Sequence, residues 1–288
     1  MKRKVLAMML IGAMAASMAA CGSSSETAES SAAASAAAEE TEAASEAAEE
    51  TEAAESEVEA IKAKGELVVG ITDFEPMDYK DADGNWIGFD ADLANAFGES
   101  LGVTVTFQEI DWDNKILELD GGVIDCVWNG MTLTDEVKSA METTEAYLNN
   151  SQIVVVKADV ADQYQDVESL KDLNFAVEAG SAGEEEAVNN ELNYTGVQNQ
   201  AAALMEIASG TADAAIIDSL MAAAMVGEGT SYEDLTYTVA LSDEEYGVGC
   251  RKGSDLAAAL NDFFQASAED GTMDQIAETY GVQAALIK

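Results

Sequence analysis

The 288-residue chain contains no histidine, a single proline and only 13 lysine and arginine residues. The absence of histidine excludes a Ser-His-Asp triad, a histidine general base and a histidine-ligated metal. No other nucleophile motif and no cluster of metal-ligating residues is evident in the sequence. The sequence therefore argues against catalysis, and it predicts no cofactor and no metal.

Basic residues are far outnumbered by acidic ones. Aspartate and glutamate number 56, which gives a formal charge of −43 at pH 7. Phosphate backbones and anionic lipid surfaces repel such a chain, which argues against nucleic acid or an anionic membrane surface as a partner. The acidity is weakly compatible with a cationic or zwitterionic ligand, and the solubility of a surface-exposed protein explains it more simply.

A long apolar run is missing except at the N-terminus. Three basic residues at positions 2–4 precede an apolar stretch at 5–20, which is typical of a secretory signal peptide and too short for a comfortable membrane span.

The small residues before Cys21 resemble a bacterial lipoprotein cleavage box, with Met18 where leucine is usual. Cys21 would then carry a lipid that anchors the protein to the outer face of the cytoplasmic membrane, or in the periplasm where an outer membrane exists. The alternative is an ordinary signal peptide with an incidental cysteine.

Residues 21–60 comprise this anchor and a low-complexity segment of Ser, Ala, Glu and Thr. The segment has twelve glutamates and no basic or aromatic residue. It cannot bury enough apolar surface to offset the entropy of ordering. We expect a disordered acidic tether up to residue 60, and then enough chain for one large or two modest domains.

Cysteine is scarce as well: beyond Cys21 the chain has only Cys126 and Cys250. Two cysteines in an exported domain can form a disulfide. Two buried free thiols explain them equally well, so the sequence leaves both alternatives open.

From residue 66 onward, apolar segments of strand length alternate with segments of helical periodicity. This alternation predicts an α/β fold with a mostly parallel sheet. A helix end, a glycine turn and an Asp-bearing strand occur in that order twice, around 121–125 and 210–214, which indicates two similar α/β lobes.

The stretch at 124–147 has the strongest pattern of a ligand site. An apolar strand at 124–128 is followed by Asn129-Gly130, by the hydroxyl of Thr132 and by a predicted helix that Thr134 caps. In open α/β sheets, ligands bind where a strand ends in a small polar turn before a helix. The stretch is therefore predicted to form half of a small-molecule site.

Six segments in order resemble the polar amino-acid-binding proteins of ABC importers, which are two-lobed extracellular solute-binding proteins of family 3. They span residues 65–288 and read GELVVGITDFEPMDYKDADGNWIGFDADLANAF, WNGMTLT, SLKDLNFAVEAGSAGEE, GTADAAIID, YGVGCRKGSDLAAALN and DGTMDQIAETYG. The resemblance implies a type II periplasmic-binding-protein-like α/β fold. Lobe 1 would comprise 61–154 and 245–288, lobe 2 would comprise 155–244, and strands near 153–156 and 246–249 would form the hinge.

The resemblance also implies a function and a set of ligand-binding residues. A monomer would close its lobes on an amino acid or an amino-acid-like molecule and deliver it to a membrane permease. Aromatic side chains would pack on the ligand, and the turn at 128–132 would meet its ammonium. The helix start at 181–182 would receive its carboxylate, and an aspartate would pair with its α-ammonium. The ligand-binding residues that the resemblance implies are Asp73, Phe74, Trp112, Trp128, Asn129, Gly130, Thr132, Ser181, Ala182 and Asp218.

Simpler roles exist for several of these residues. Phe74, Trp112 and Trp128 could belong to the hydrophobic core. Ser181 with Glu184 forms a helix-capping box, a role that can coexist with ligand binding. Asp218 could be the N-cap of the next helix. Two alternative functions also remain: a ligand-binding surface sensor that is not coupled to transport, and an enzyme on the same scaffold, such as a dehydratase-like relative.

One position departs from the family pattern. The family usually carries Thr-x-x-Arg in the stretch at 124–147, and that arginine grips the ligand carboxylate with both arms of its guanidinium. Val137 occupies the position here, and Lys138 cannot reproduce the planar fork. Either the helix start at Ser181 holds the carboxylate alone, or the ligand lacks an ordinary α-carboxylate.

Overall fold

The structure, a computed structural model, describes residues 56–288. The predicted signal peptide, Cys21 and most of the predicted tether lie outside the described residues. Within 56–288, no helix is both long enough and apolar enough to cross a membrane.

The described chain alternates helices and strands, as the sequence predicts, with three short 3₁₀ turns between them. The helices are α1 (Glu57–Lys64), α2 (Phe89–Leu101), α3 (Lys115–Asp120), α4 (Asp135–Ala140), α5 (Ala182–Asn189), α6 (Gln200–Ser209), α7 (Ser219–Met225), α8 (Leu256–Asp270) and α9 (Thr272–Tyr280). The strands are β1 (Glu66–Ile71), β2 (Tyr79–Lys80), β3 (Trp86–Ile87), β4 (Thr104–Glu109), β5 (Cys126–Thr132), β6 (Glu142–Thr143), β7 (Leu148–Lys157), β8 (Asn174–Glu178), β9 (Asn193–Val197), β10 (Ala214–Asp218) and β11 (Leu235–Cys250).

A single large sheet runs through the protein in the order β4-β1-β5-β11-β7-β10-β8-β9, and β6 pairs with β11 beside it. Pairing is parallel at both ends, in β4-β1-β5 and in β10-β8-β9. The long strands β11 and β7 pair antiparallel with each other and with their outer neighbours in the middle. Two parallel α/β halves are thus joined by two long strands, which confirms the predicted α/β, two-lobed fold class.

Helix ends follow the predicted chemistry. The hydroxyl of Ser181 accepts a hydrogen bond from the backbone N–H of Glu184 (3.1 Å), and the hydroxyl of Thr134 accepts one from Val137 (3.2 Å). Each bond satisfies one of the free N–H groups of a first helical turn. These two residues therefore fix where α5 and α4 begin, and both helices flank the region between the two halves.

The prediction of disorder up to residue 60 is wrong at its C-terminal end, because α1 begins at Glu57. Ser56 caps this helix, and the carboxylate of Asp255 accepts hydrogen bonds from the backbone N–H groups of Glu57 (2.9 Å) and Val58 (3.1 Å). Val58 and Ile61 are buried in the core. Two apolar residues three positions apart suffice to dock a short helix when a distant carboxylate satisfies its N-terminus.

One local prediction also needs correction, and one strand was not predicted. The strand at 124–128 does not stop at Asn129-Gly130: β5 continues to Thr132, and its pairing with β11 shifts register between Gly247 and Gly249. Strand β9 was not predicted, because NYTGV is exposed and has little apolar character. It exists because its backbone pairs in parallel with the buried strand β8.

Cys126 and Cys250 lie directly opposite each other on β5 and β11. Both side chains are fully buried, and both are free thiols in the structure. Burial raises the pKa of each thiol, because the thiolate loses its hydration. Of the two alternatives that the sequence leaves open, the structure has the reduced pair.

Candidate ligand-binding site

A cavity of about 340 Å³ lies between the two parallel halves of the sheet. One wall comes from the chain around β1, α3, β5 and α4, and the other from the ends of β8 and β10 and the starts of α5 and α6. The lining residues are Phe74, Trp112, Lys115, Asn129, Gly130, Met131, Thr132, Thr134, Glu136, Val137, Gln152, Glu178, Gly180, Ser181, Ala182, Glu184, Glu185, Val188, Gln200 and Asp218.

Most of the residues predicted from the sequence meet at this cavity. They are Phe74, Trp112, Asn129, Gly130, Thr132, Ser181, Ala182 and Asp218. Asp73 and Trp128 do not line it. Asp73 is an exposed residue after β1. Trp128 is fully buried, and its ring packs against Phe97 and Phe264 at centroid distances of 6.4 and 5.4 Å. The core role was therefore the correct alternative for Trp128.

Close packing explains why glycine occupies position 130. Its backbone has φ +53°, in the left-handed region, and a Cβ there would come within 2.6 Å of the Phe74 ring and 3.0 Å of the Tyr246 ring. The backbone N–H of Gly130 donates to the buried carboxylate of Asp90 at 2.6 Å. The backbone of β5 can therefore approach the cavity closely, with the ring of Phe74 packed against it.

A buried polar network holds the neighbouring Asn129. Its side-chain oxygen accepts hydrogen bonds from the backbone N–H (3.0 Å) and the hydroxyl (2.8 Å) of Thr72, and its amide donates to Asp78 at 2.7 Å. The hydroxyl of Tyr147 donates to Asp90 at 2.8 Å. Burial raises the pKa of Asp90 to about 7, and burial together with the charge of Asp90 raises the pKa of Asp78 well above its usual range. This network fixes the wall formed by β5 and contains two carboxyl groups that ionise with difficulty.

Asp218, the last residue of β10, is held by three amide side chains. Its carboxylate accepts hydrogen bonds from Asn150 at 2.6 Å and from Gln152 and Gln200. Burial, followed by the charge of nearby Glu244, raises the pKa of Asp218 well above its usual range. Asp218 does occupy the N-cap position of α7, but its side chain makes no capping hydrogen bond. The carboxylate is thus oriented by the amides at the cavity rather than by the helix that follows it.

The start of α5 lies on the opposite wall from β5. Ser181 performs the predicted capping role, and the carboxylate of Glu184 accepts a hydrogen bond from the backbone N–H of Gly180 at 2.6 Å. Ser181 and Ala182 both line the cavity. Backbone N–H groups at a helix start favour an anion, while the neighbouring Glu184 and Glu185 oppose one.

Val137 is buried, and it packs in a cluster with Trp112, Met131 and Met141. Lys138 is exposed and does not line the cavity. Among the described residues that line the cavity, the only basic one is Lys115. Its ammonium donates to the carbonyl of Gly180 at 2.7 Å and to that of Trp112 at 3.4 Å, and it lies 5.0 Å from the centre of the Trp112 ring. Burial lowers the pKa of Lys115, because the ammonium is largely removed from water.

Sequence reasoning missed several polar residues of the cavity, among them Lys115, Gln152, Glu178 and Gln200. Glu178 is the polar last residue of an apolar strand, two residues before Gly180, and this position at the end of a strand could have identified it. A polar residue inside the apolar strand β7 could likewise have identified Gln152. Lys115 and Gln200 carry no such pattern, because each lies near the start of a helix where a polar residue is ordinary.

Two α/β halves joined by two long strands, with a polar cavity between them, define a two-lobed ligand-binding protein. The chain belongs to the bacterial extracellular solute-binding proteins of family 3, whose family model matches residues 67–283. This confirms the resemblance drawn from the six segments of the sequence.

Similar proteins share most of the described chain. The arginine-binding extracellular protein of Bacillus subtilis is 28% identical over 222 residues, which cover 74% of this chain and 85% of that protein. A crystal structure of a mutant of ArgBP from T. maritima has a TM-score of 0.73 at 31% identity, and it covers 77% of this chain and 98% of its own. The ancestral amino acid-binding protein AncCDT-1, a precursor of cyclohexadienyl dehydratase, has a TM-score of 0.71 at 34% identity, with coverage of 77% and 98%.

Proposed function

We propose that this chain is the solute-capturing component of an ABC importer and that it binds an amino acid or an amino-acid-like molecule. The observation that carries the proposal is Asp218, whose carboxylate is buried at the cavity and oriented by three amide side chains. It faces a cavity that also contains the start of a helix. A carboxylate and a helix start in one cavity suit the ammonium and the carboxylate of an amino acid. The names of the similar proteins support the same class of ligand.

Capture would occur by closure of two lobes, formed by 61–154 with 245–288 and by 155–244. The long strands β7 and β11 pass between the two halves and would bend as the hinge. The hydrogen bond from Lys115 to the carbonyl of Gly180 already joins the two walls of the cavity. Closure of the lobes would then enclose the ligand between these two walls.

The ligand carboxylate would lie between Lys115 and the start of α5. Lys115 bonds to Gly180, which immediately precedes the capping residue Ser181, so the ammonium and the backbone N–H groups of the helix start are neighbours. A cation beside free N–H groups provides the donors that the family arginine would supply from position 137. This arrangement accounts for a buried valine at that position.

The protein would act at the cell surface as a monomer, anchored through a lipid on Cys21, and would deliver its ligand to a membrane permease. No observation favours a sensor that is not coupled to transport. The protein would also not be an enzyme: the relative that preceded a dehydratase is itself an amino acid-binding protein.

A thermal-shift screen of the twenty amino acids, cystine and simple amines tests the proposal on the full chain. A ligand at 100 times its Kd adds roughly 2.7 kcal/mol to the free energy of unfolding. We expect at least one amino acid to stabilise the protein and the variant Asp218→Ala to lose that stabilisation. Asp159→Asn, which removes an exposed carboxylate outside the cavity, should retain it. If no compound in the set stabilises the protein, the assignment to amino acids is wrong.

A further inference from the structure

We propose that Glu178 selects the ligand by binding a cationic group on its side chain, so that the cavity takes a basic amino acid. This inference rests on the proposed function and assigns a role that the resemblance did not give to this residue. It would make Glu178 the residue that determines specificity, while Asp218 and the helix start bind the groups that all amino acids share.

Glu178 is buried at the cavity, and one of its carboxyl oxygens has no hydrogen-bond partner among the described residues. It is the last residue of β8, its side chain is only 3% exposed, and it lines the cavity. Its Oε1 atom is inaccessible to solvent and has no hydrogen-bond partner among the described residues. A buried polar atom without a partner costs free energy, so such an atom at a cavity indicates a group that a ligand supplies.

A second unused atom at the cavity has the same character. Oε1 of Gln152, in the part of the chain that the structure describes, is buried without a partner, while Nε2 of that side chain donates to Asp218 and Glu244. Both unused atoms are acceptors. The cavity therefore requires hydrogen-bond donors from its ligand, and an ammonium or a guanidinium supplies several.

The charges around the cavity point to the same ligand. Five carboxyl groups line it, those of Glu136, Glu178, Glu184, Glu185 and Asp218, against the single ammonium of Lys115. That ammonium is bonded to backbone carbonyls, and no described side chain forms an ion pair with Glu178. A cation on the ligand would favour ionisation of these carboxyl groups and be balanced by them, whereas a second ligand carboxylate would be repelled.

Burial keeps the carboxyl of Glu178 neutral until a cation arrives. Burial raises its pKa to about 8, although Lys115 and the polar side chains of Thr72 and Gln200 act to lower it. Asp218, at the end of the neighbouring strand β10, also faces it. Burial in the empty site therefore favours the protonated form of Glu178, and a bound cation would favour the ionised form.

Arginine and citrulline provide the test, because they have nearly the same shape and differ in the charge of the side chain. Their affinities for the full chain would be measured by titration calorimetry for the wild type, for Glu178→Gln and for Glu168→Gln. The last variant removes an exposed carboxylate outside the cavity. We expect the wild type to bind arginine at least tenfold more tightly than citrulline. Glu178→Gln should reduce that ratio at least tenfold, and Glu168→Gln should change it less than twofold.

Two results would overturn this inference while leaving the proposed function intact: a wild type that binds amino acids without a preference for cationic ones, or a ratio that Glu178→Gln leaves unchanged. A wild type that binds no amino acid would overturn both. Retained citrulline affinity and a cooperative thermal unfolding transition for Glu178→Gln would show that the variant is folded. A variant that fails to fold would be replaced by Glu178→Leu, for which the same loss of the ratio is expected.

Discussion

The ammonium nitrogen of Lys115 lies 2.7 Å from the carbonyl oxygen of Gly180, and this hydrogen bond joins the two walls of the cavity. Lys115 begins α3 in one half of the protein, while Gly180 precedes α5 in the other. Gly180 has φ +72°, and a Cβ there would lie 2.6 Å from the backbone of Asp113, so the two walls also touch at this point. A single lysine thus joins the two walls of the cavity and supplies the only positive charge among its described lining residues.

The proposed position of the ligand carboxylate predicts an unequal effect of Lys115→Met. The variant should bind the amino acid identified by the screen at least tenfold more weakly, because the carboxylate loses its cationic partner. The amine that corresponds to this amino acid without its carboxylate should lose no affinity. Lys115 would not be a partner of that amine, and the variant removes an ammonium that repels it. Calorimetric titration of both compounds gives the two ratios.

Lys138→Met is the matched control, because Lys138 is exposed on α4 and does not line the cavity. It should change both affinities less than twofold. An equal gain for both compounds in Lys115→Met would show that Lys115 only repels the ligand, which would contradict this position of the carboxylate.

Replacement by alanine should mainly reduce stability at Trp128 and mainly reduce ligand affinity at Trp112. Trp128→Ala should lower the free energy of unfolding by about 3–5 kcal/mol, because it leaves a large space in a fully buried core. Trp112→Ala should cost less stability but about tenfold in affinity, because its ring lines the cavity beside Lys115. Urea unfolding and ligand titration on each variant separate the effects. A larger loss of affinity in Trp128→Ala, corrected for unfolding, would place that residue back in the site.

Stability should fall as the pH rises through neutrality. The pKa of Asp90 is raised from 3.8 to about 7 and that of Glu178 from 4.5 to about 8, so the folded protein holds protons that the unfolded chain releases. Their stabilising effect is complete below pH 4 and is lost progressively up to about pH 8. Glu178→Gln removes one of these groups and should reduce the loss between pH 5 and pH 8 by at least about 1 kcal/mol. Urea unfolding at both pH values measures the difference, and an identical loss in the variant would contradict burial of a carboxyl at this position.

The cysteine pair predicts a specific thiol count. In the full chain with Cys21→Ser, denatured without reductant, two thiols should react with a colorimetric reagent. In the native protein the same thiols should react slowly, because Cys126 and Cys250 are fully buried and their pKa values are raised. A count of zero in the denatured chain would show that the two cysteines are bonded.

Much of the fold follows from periodicity and capping. The alternation of apolar strands with helices predicted an α/β protein, and the order of six segments predicted its family. Ser181 and Thr134 marked two helix starts correctly, because a cap is a local interaction between residues three positions apart. Strand β9 and helix α1 were missed because each depends on a distant partner, the backbone of β8 in one case and the carboxylate of Asp255 in the other.

The sequence by itself determined the class of fold, the lack of histidine chemistry, the acidic charge and the placement of Asp218 at the end of a strand. These are properties of composition and of neighbouring residues. Only the tertiary structure decided that Trp128 faces the core, that β5 continues through Gly130, and that Lys115, Glu178 and Gln152 meet at one cavity. The physical reason is that a side chain's burial and the missing partner of a polar atom depend on segments far apart in the chain, and packing of the two halves brings those segments together.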